Sequence, residues 1–416
     1  MTADHNPHFI IIGAGITGLI LAQGLKKQGV SFEIFERDPN AEFRGAGWGL
    51  TIHWALDEFL ALIPDHLKDR LEETYVNPVA VKNDEAGNFL FYDLQSGEAR
   101  WQVPAAKRIR VSRERLRKLL MDGLDIQWNK TFASAQDAGA DGITAHFEDG
   151  TTVTGSCIVG CDGAQSKVRQ WLCPSLAKPN VLPYKMLGVT VPYTRALAQS
   201  MRDLDPYFMQ GGDPKHDSFF YFSFLECPKN DTPSDDDIFR CQIIVSWPYR
   251  AGYLGSETPI EVPVETEDRI ALLKKISNTW ADPFKSILQN IPETTSSKSI
   301  TIVEWIPNTG VWDNRKGKIT LIGDAAHTMT MFRGEAANQG IADVTRFMAQ
   351  YKPSWDSAAA KPFDAAVACN EYEAEMIERN NRAVRASTRA CQDAHHYATI
   401  DGSSPLVNKR VIDVEQ

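Results

Sequence analysis

An α/β fold carrying a dinucleotide site, joined to a second antiparallel β-sheet domain and closed by C-terminal helices, is predicted by three short segments and one change of texture. The segments are Gly13-Ala14-Gly15-Ile16-Thr17-Gly18, Gly160-Cys161-Asp162-Gly163 and Gly323-Asp324-Ala325-Ala326-His327. Each follows an apolar run, Phe9-Ile10-Ile11-Ile12, Cys157-Ile158-Val159 or Ile319-Thr320-Leu321-Ile322, and continuous runs of this kind read as strands buried on both faces of a parallel sheet. Between the second and third segments the chain turns aromatic, with Phe219-Phe220-Tyr221-Phe222-Ser223-Phe224 and Cys241-Gln242-Ile243-Ile244-Val245-Ser246-Trp247. That texture predicts a separate antiparallel sheet that forms a substrate wall.

Taken in order, the first segment leads into Leu19-Ile20-Leu21-Ala22 and Leu25, spaced as on a helix, so it is the turn of a strand, turn and helix unit. Gly13 permits the turn, Gly15 admits a pyrophosphate to the backbone, and Gly18 lets the helix close on the strand. A second strand, Ser31-Phe32-Glu33-Ile34-Phe35, ends at Glu36, about 20 residues after the glycines, where a carboxylate takes both ribose hydroxyls. Residues 76 to 104 read as a strand pair with turns at 83–87 and at Ser96-Gly97. A helix starts after Ser112 as N-cap, and turns at Asp141-Gly142 and Asp149-Gly150 mark a hairpin. Helices close the chain from about Asn338 to Gln350 and from about Phe363 to His396. The domain assignment that follows is residues 1–75, 105–180 and 300–362 for the cofactor, 76–104 and 181–299 for the substrate sheet, and 363–416 for a C-terminal helical segment.

With 416 residues the chain is long enough for two domains. A net charge of −10 argues against a nucleic-acid partner. No apolar stretch reaches the roughly 20 residues that span a bilayer, and the first residues carry no secretion signal, which points to a cytoplasmic protein. Seven cysteines without metal-ligand spacing fit free thiols and no bound metal, with Cys157, Cys161 and Cys241 expected to be buried.

The segments, in this order, resemble the group A flavin monooxygenases, the para-hydroxybenzoate or salicylate hydroxylase-like family, over most of the chain. Gly13, Gly15 and Gly18 with Glu36 resemble that family's ADP-binding motif, and 159–169, with Asp162, resembles its DG motif. Residues 321–327, with Asp324, resemble its GD motif. Arg113 matches the arginine placed against the FAD phosphates or ribose, and Arg44-Gly45-Ala46-Gly47-Trp48-Gly49-Leu50 is similar to the flavin-edge loop. The resemblance therefore implies a GR2-like Rossmann FAD-binding domain in which Arg37, Arg44, Gly49, Ala337 and Asn338 join those residues around FAD. Asp324 can accept from a ribityl hydroxyl or cap a helix. The helix after it can aim its N-terminus at the flavin pyrimidine, where its N–H groups stabilise the charge of reduced flavin. The chain departs from the family between Thr328 and Asn338: Met331 stands where a proline is common, and Arg333 and Ala336 where glycines are common. Arg333 and Glu335 either pair with each other or face the flavin or substrate.

The same resemblance implies an FAD-dependent monooxygenase. NADPH or NADH docks transiently and reduces FAD, O2 adds at flavin C4a, and the hydroperoxide hydroxylates or epoxidises an aromatic, indolic or polyketide-like small molecule in secondary metabolism. A second GxGxxG is absent, so a separate nicotinamide domain is not expected. Tyr221 is a candidate for bonding a phenol or enol, or else a core residue, and His53, near-neutral in pKa, is a candidate for proton handling. Trp247 and Phe208 are candidates for packing a flat substrate, and His327 reads as structural. Other readings are a flavin-dependent halogenase, a non-oxygenating flavin dehydrogenase and a non-catalytic flavin-binding protein. Trp305-Ile306-Pro307 resembles part of the halogenase tryptophan motif, but Ile302-Val303-Glu304 precedes it without the earlier tryptophan.

Overall fold

The strand His8–Ile12, buried from Phe9 onward, is the centre of a five-stranded sheet. The strand order is Ile319–Leu321, Cys157–Gly160, His8–Ile12, Ser31–Phe35 and Ile126–Gln127. All four pairings are parallel, and the register sets Ile12 opposite both Phe35 and Gly160, and Gly160 opposite Leu321. Parallel strands in register end together, so Gly13, Glu36, Cys161 and Ile322 leave the sheet along one carboxyl edge, where open α/β sheets hold their ligands. This brings segments more than three hundred residues apart in sequence to one place. The computed structural model describes residues 7–43, 47–87, 89–103, 107–229, 233–356 and 363–408.

The helix Ile16–Lys27 buries Leu19, Ile20, Leu21, Ala22 and Leu25, and Ala336–Tyr351 packs against it. Phe347 and Tyr351 meet Phe9 edge-on at 5.7 and 5.8 Å between ring centroids, an arrangement that aromatic quadrupoles favour. The thirty-residue helix Ala365–Ala394, capped by Asp364, lies on Ala336–Tyr351 in turn. Strands Phe132–Asp137, Ile143–Phe147 and Thr152–Gly155 form the antiparallel excursion that the Asp-Gly turns announced. The thiols of Cys157, Cys161 and Cys241 are buried, which pushes their pKa values up.

The second sheet has seven strands in the order Ser297–Ser299, Tyr184–Thr194, Ile238–Pro248, Phe219–Glu226, Phe208–Gly212, Phe89–Asp93 and Ala99–Val103. Alternation decides its faces. Phe220, Phe222, Phe224, Ile243, Val245 and Trp247 share a core with the helices Thr266–Ile276 and Phe284–Gln289. Phe219, Tyr221 and Gln242 lie on the opposite face and line a cleft. With both faces covered, the strand has no polar side to show, which is why its sequence is almost continuously aromatic. Trp247 therefore corrects an expectation: it is fully buried on the far side, with its Nε1 donating to the Ile260 carbonyl at 3.1 Å, and does not touch the cleft.

One other element differs from the sequence reading. Residues 76–88 contribute no strand among those described; Asn77 accepts from the Ala80 N–H at 3.1 Å and starts a short helix, Pro78–Lys82. Asn at N-cap followed by Pro at the first helical position is a helix start, and the strand pair is confined to Phe89–Asp93 and Ala99–Val103. Among the described residues no helix is long and apolar enough to cross a membrane.

Candidate active site

The carboxyl edge of the first sheet and the face of the second that carries Phe219, Tyr221 and Gln242 border a cavity of about 680 Å³. At its nucleotide end Gly13 has φ +108°, a backbone that side chains rarely adopt, and a Cβ there would meet the Cys161 carbonyl oxygen at 2.5 Å. A Cβ on Gly18 would lie 2.0 Å from the Gly13 oxygen, whereas one on Gly15 would meet nothing within 4 Å. Gly18 does not line the cavity; it seats the helix on the turn, in the packing role expected of it. Gly15 is the N-cap of Ile16–Lys27 and, as a glycine, has no side chain with which to cap those N–H groups.

Glu36 is buried; its Oε2 accepts from the Ala14 N–H at 2.8 Å and its Oε1 from the Asp38 N–H at 3.1 Å. Arg37 and Arg113 line the cavity beside it. Arg117, one helical turn after Arg113, donates to the carbonyls of Ala14 and Ala41, each at 2.9 Å, and lies 5.5 Å over the Trp128 ring. Asp162 Oδ2 accepts from the Lys167 N–H at 2.6 Å and the Val168 N–H at 3.2 Å, while among the described residues its buried Oδ1 has no hydrogen-bond partner. Burial raises the Asp162 pKa against these bonds. Arg44 lies outside the described residues.

The GD segment is a 3-10 turn, Gly323–Ala325, and not the start of a long helix, so Asp324 caps nothing. Its carboxylate opens on the cleft, and the protein packed around it raises its pKa against the pull of His327, Arg113 and Arg169. Arg169 joins the two motifs: its Nη1 donates to the carbonyls of Asp324 and Ala325 at 3.2 and 2.8 Å, and its Nη2 to the carbonyl of Ala164. Beneath the turn sits the fully buried Asp343. Its Oδ2 accepts from the Gly323 N–H at 2.8 Å and from His327 Nε2 at 2.6 Å; its Oδ1 accepts from Arg379 at 2.9 Å and Asn380 at 3.2 Å. Burial alone would raise the Asp343 pKa, but His327 and Arg379 hold the carboxyl well below the usual range. The helix Ala336–Tyr351 presents its N-terminus to the cleft at Ala336 and Ala337, again without a side-chain cap. Asn338 stays behind this front: its Oδ1 accepts from the His53 N–H at 2.9 Å and its Nδ2 donates to the Thr51 carbonyl at 3.0 Å, which fixes the strand Gly49–Ile52.

On the β-sheet wall the central group is Arg110, which the sequence reading did not single out. It is 6 % exposed, with Nη1 on Thr51 Oγ1 at 2.9 Å and Nη2 on the Tyr221 hydroxyl and on Ser223 Oγ, both at 2.7 Å. Phe208 lines the same wall, stacked on Tyr221 with centroids 6.1 Å apart. Arg110 and Arg108 stand 5.3 and 5.5 Å from its centroid, and burial lowers the Arg108 pKa. Gln210, also on the wall, has a buried Oε1 without a hydrogen-bond partner among the described residues. Gly49 is confined by Arg110, whose Nη2 would lie 2.1 Å from a Cβ there, and its N–H donates to Gln242 Oε1 at 3.1 Å. His53 lines the cleft as well. Arg333 and Glu335 pair with each other, and both line the cavity. Trp305 packs under Arg169 at 4.8 Å and donates to the Leu176 carbonyl, outside the cleft lining.

Of the residues named from sequence, Gly13, Gly15, Glu36, Arg37, Gly49, His53, Arg113, Asp162, Tyr221, Asp324 and Ala337 meet on one cavity. Three features fit the flavin dinucleotide that the resemblance implies. They are the open space over Gly15, the unpartnered Asp162 Oδ1, and two helix N-termini with uncapped N–H groups, which favour phosphate and other negative charge.

Residues 8–198 match the FAD binding domain family. The chain is 49% identical over 413 residues to a probable FAD-dependent monooxygenase of Arthroderma benhamiae, covering 97% of this chain and 95% of the relative. It is 38% identical over 362 residues to an FAD-dependent monooxygenase of Aspergillus terreus, covering 83% and 89%. Among solved structures, 2,6-dihydroxypyridine-3-hydroxylase from Arthrobacter nicotinovorans superposes with a TM-score of 0.73 at 16% identity, over 99% of both chains. Klebsiella pneumoniae HpxO complexed with FAD and uric acid superposes with a TM-score of 0.72 at 20% identity, over 95% of this chain and 91% of that one. At these identities the likeness shows the fold.

Proposed function

The chain belongs to the FAD-dependent monooxygenase family, and from that premise we propose that it inserts one atom of O2 into a flat phenolic or enolic small molecule, aromatic or polyketide-like, in secondary metabolism. NADPH or NADH is the transient reductant, so that substrate C–H, O2, NAD(P)H and a proton become C–OH, NAD(P)+ and water. Glu36, Arg37, Arg113, Asp162, Asp324, the Gly13–Gly18 turn and the Ala337 helix end would hold FAD, which when bound supplies the two-electron chemistry that activates O2.

The observation that carries this reading is the 2.7 Å bond from Arg110 Nη2 to the Tyr221 hydroxyl on the cleft wall. A phenol oxygen that accepts from a guanidinium keeps its own proton to give, and among the described residues no acceptor takes it. Tyr221 then donates to a substrate hydroxyl oxygen and, backed by the Arg110 charge, stabilises negative charge developing there. That charge makes the ring carbons ortho and para to the oxygen nucleophilic. Phe208 and Phe219 line the same wall and supply apolar surface against the ring. His53, which lines the cleft, is the group proposed to take up the hydroxyl proton.

The test is substrate-stimulated NADPH oxidation across a panel of phenols and enols, with mass spectrometry for one added oxygen. Tyr221→Phe keeps the ring and removes the donor, and is expected to lower kcat/KM by about a hundredfold, as for loss of one preorganised donor to developing charge. An unchanged kcat/KM in that variant, or no oxygenated product with any member of the panel, sinks this reading.

A further inference from the structure

The segment between the GD turn and the helix Ala336–Tyr351 places a charged pair on the cavity wall. Arg333 Nε donates to Glu335 Oε2 at 2.9 Å and Nη2 to Oε1 at 3.2 Å, so both carboxylate oxygens are gripped. The side chains are only 10 % and 4 % exposed. Nη1 of Arg333 donates to the Pro405 carbonyl at 2.6 Å, which anchors the guanidinium to the C-terminal segment. Glu335 is the N-cap residue of the helix, yet its side chain makes no capping bond. A carboxylate in that position is what uncapped N–H groups and the positive end of a helix attract. Here it is turned aside, and Ala336 and Ala337 open on the cavity instead.

We infer that Arg333 is a positioning residue: it holds Glu335 off the helix N-terminus and cancels its charge, leaving that end of the helix available to the negative charge FAD gains on reduction. The inference rests on the reading above, in which this helix end would hold FAD. Without Arg333, the carboxylate would satisfy the N–H groups itself and stand as a like charge against the reduced cofactor. Reduced FAD would then lose more affinity than oxidised FAD, and the reduction potential would fall.

The experiment uses the full chain loaded with FAD. Midpoint potentials are read spectrally during dithionite titration against a reference dye, and FAD affinity is read by fluorescence. Arg333→Met is expected to weaken binding of the reduced form about tenfold relative to the oxidised form, a downward shift of about 30 mV for a two-electron couple. Glu335→Gln, which leaves Arg333 uncompensated, is expected to shift the potential upward by a similar amount. The double variant returns close to the parent value and Arg333→Lys retains most of it, a pattern that mere loss of packing does not produce. An Arg333→Met protein at the parent potential, or a double variant that stays at the Arg333→Met value, overturns the inference. If Arg333→Met does not fold, Glu335→Gln decides alone, and absence of an upward shift overturns it. A parent chain that takes up no FAD overturns the underlying site reading, and the inference with it.

Discussion

Gly15 and Gly18 stand one helical turn apart and serve different ends. A methyl group at Gly18 would press on the Gly13 carbonyl at 2.0 Å, while one at Gly15 has clear space and an ordinary φ of −76°. Gly18→Ala is therefore expected to destabilise the fold by about 2 kcal/mol or more through overpacking. Gly15→Ala is expected to cost at most about 1 kcal/mol of stability while weakening FAD binding at least about tenfold. Urea melts of the FAD-free protein, set beside fluorescence titration with FAD, separate the two; equal stability losses in both variants would refute the distinction. Motif residues of this kind are legible because their spacing is local. Arg117 was within reach, since it repeats Arg113 one turn later. Arg110 was not, because Tyr221 and Ser223 lie 111 and 113 residues away and nothing local marks the partnership.

Elements were legible to the extent that their pattern was self-contained. The continuous apolar strands, the Ser112 cap and the Asp-Gly turns each carry their own geometry. The aromatic strand does not, since a strand covered on both faces gives no polar alternation to show which side meets the ligand; only packing separates Tyr221 from Phe220 and Phe222. Nor could sequence show how the long C-terminal helix is docked. At its C-cap His395 is fully buried: Nδ1 bonds the Cys391 carbonyl at 2.7 Å, Nε2 bonds Ser246 Oγ at 2.8 Å, and the ring stacks on Tyr184 at 4.1 Å. Burial holds its pKa at about 3, below the ordinary 6.5. Between those values the unfolded chain binds a proton that the folded chain refuses. Stability is therefore complete above about pH 6.5 and is lost as pH falls, by up to about 1.4 kcal/mol per pH unit from this one group. Denaturant melts between about pH 7 and about pH 5 should show a shallower acid loss in His395→Gln than in the parent; parallel curves would refute the assignment.

At the scale of the molecule, Asp343 binds three distant parts of the chain. Its carboxylate takes Gly323 and His327 from the GD segment, and Arg379 and Asn380 from the long C-terminal helix, while its own backbone belongs to the helix that opens on the cleft. Because its pKa is held low by His327 and Arg379, this contribution is present above the ordinary carboxylate range and is lost as pH falls. Asp343→Asn leaves Arg379 buried without that charge, and is expected to cost about 3–5 kcal/mol in denaturant unfolding, together with FAD affinity. Full retention of both would show that the hub is dispensable.

The same hub sets an order of events during synthesis. While the ribosome is still adding the last long helix, the nascent protein already owns its glycine turn and its aromatic wall, but the guanidinium and amide beneath Gly323 have yet to emerge. A chain that has not reached residue 380 therefore holds every cavity-lining residue named above but lacks this support beneath the turn.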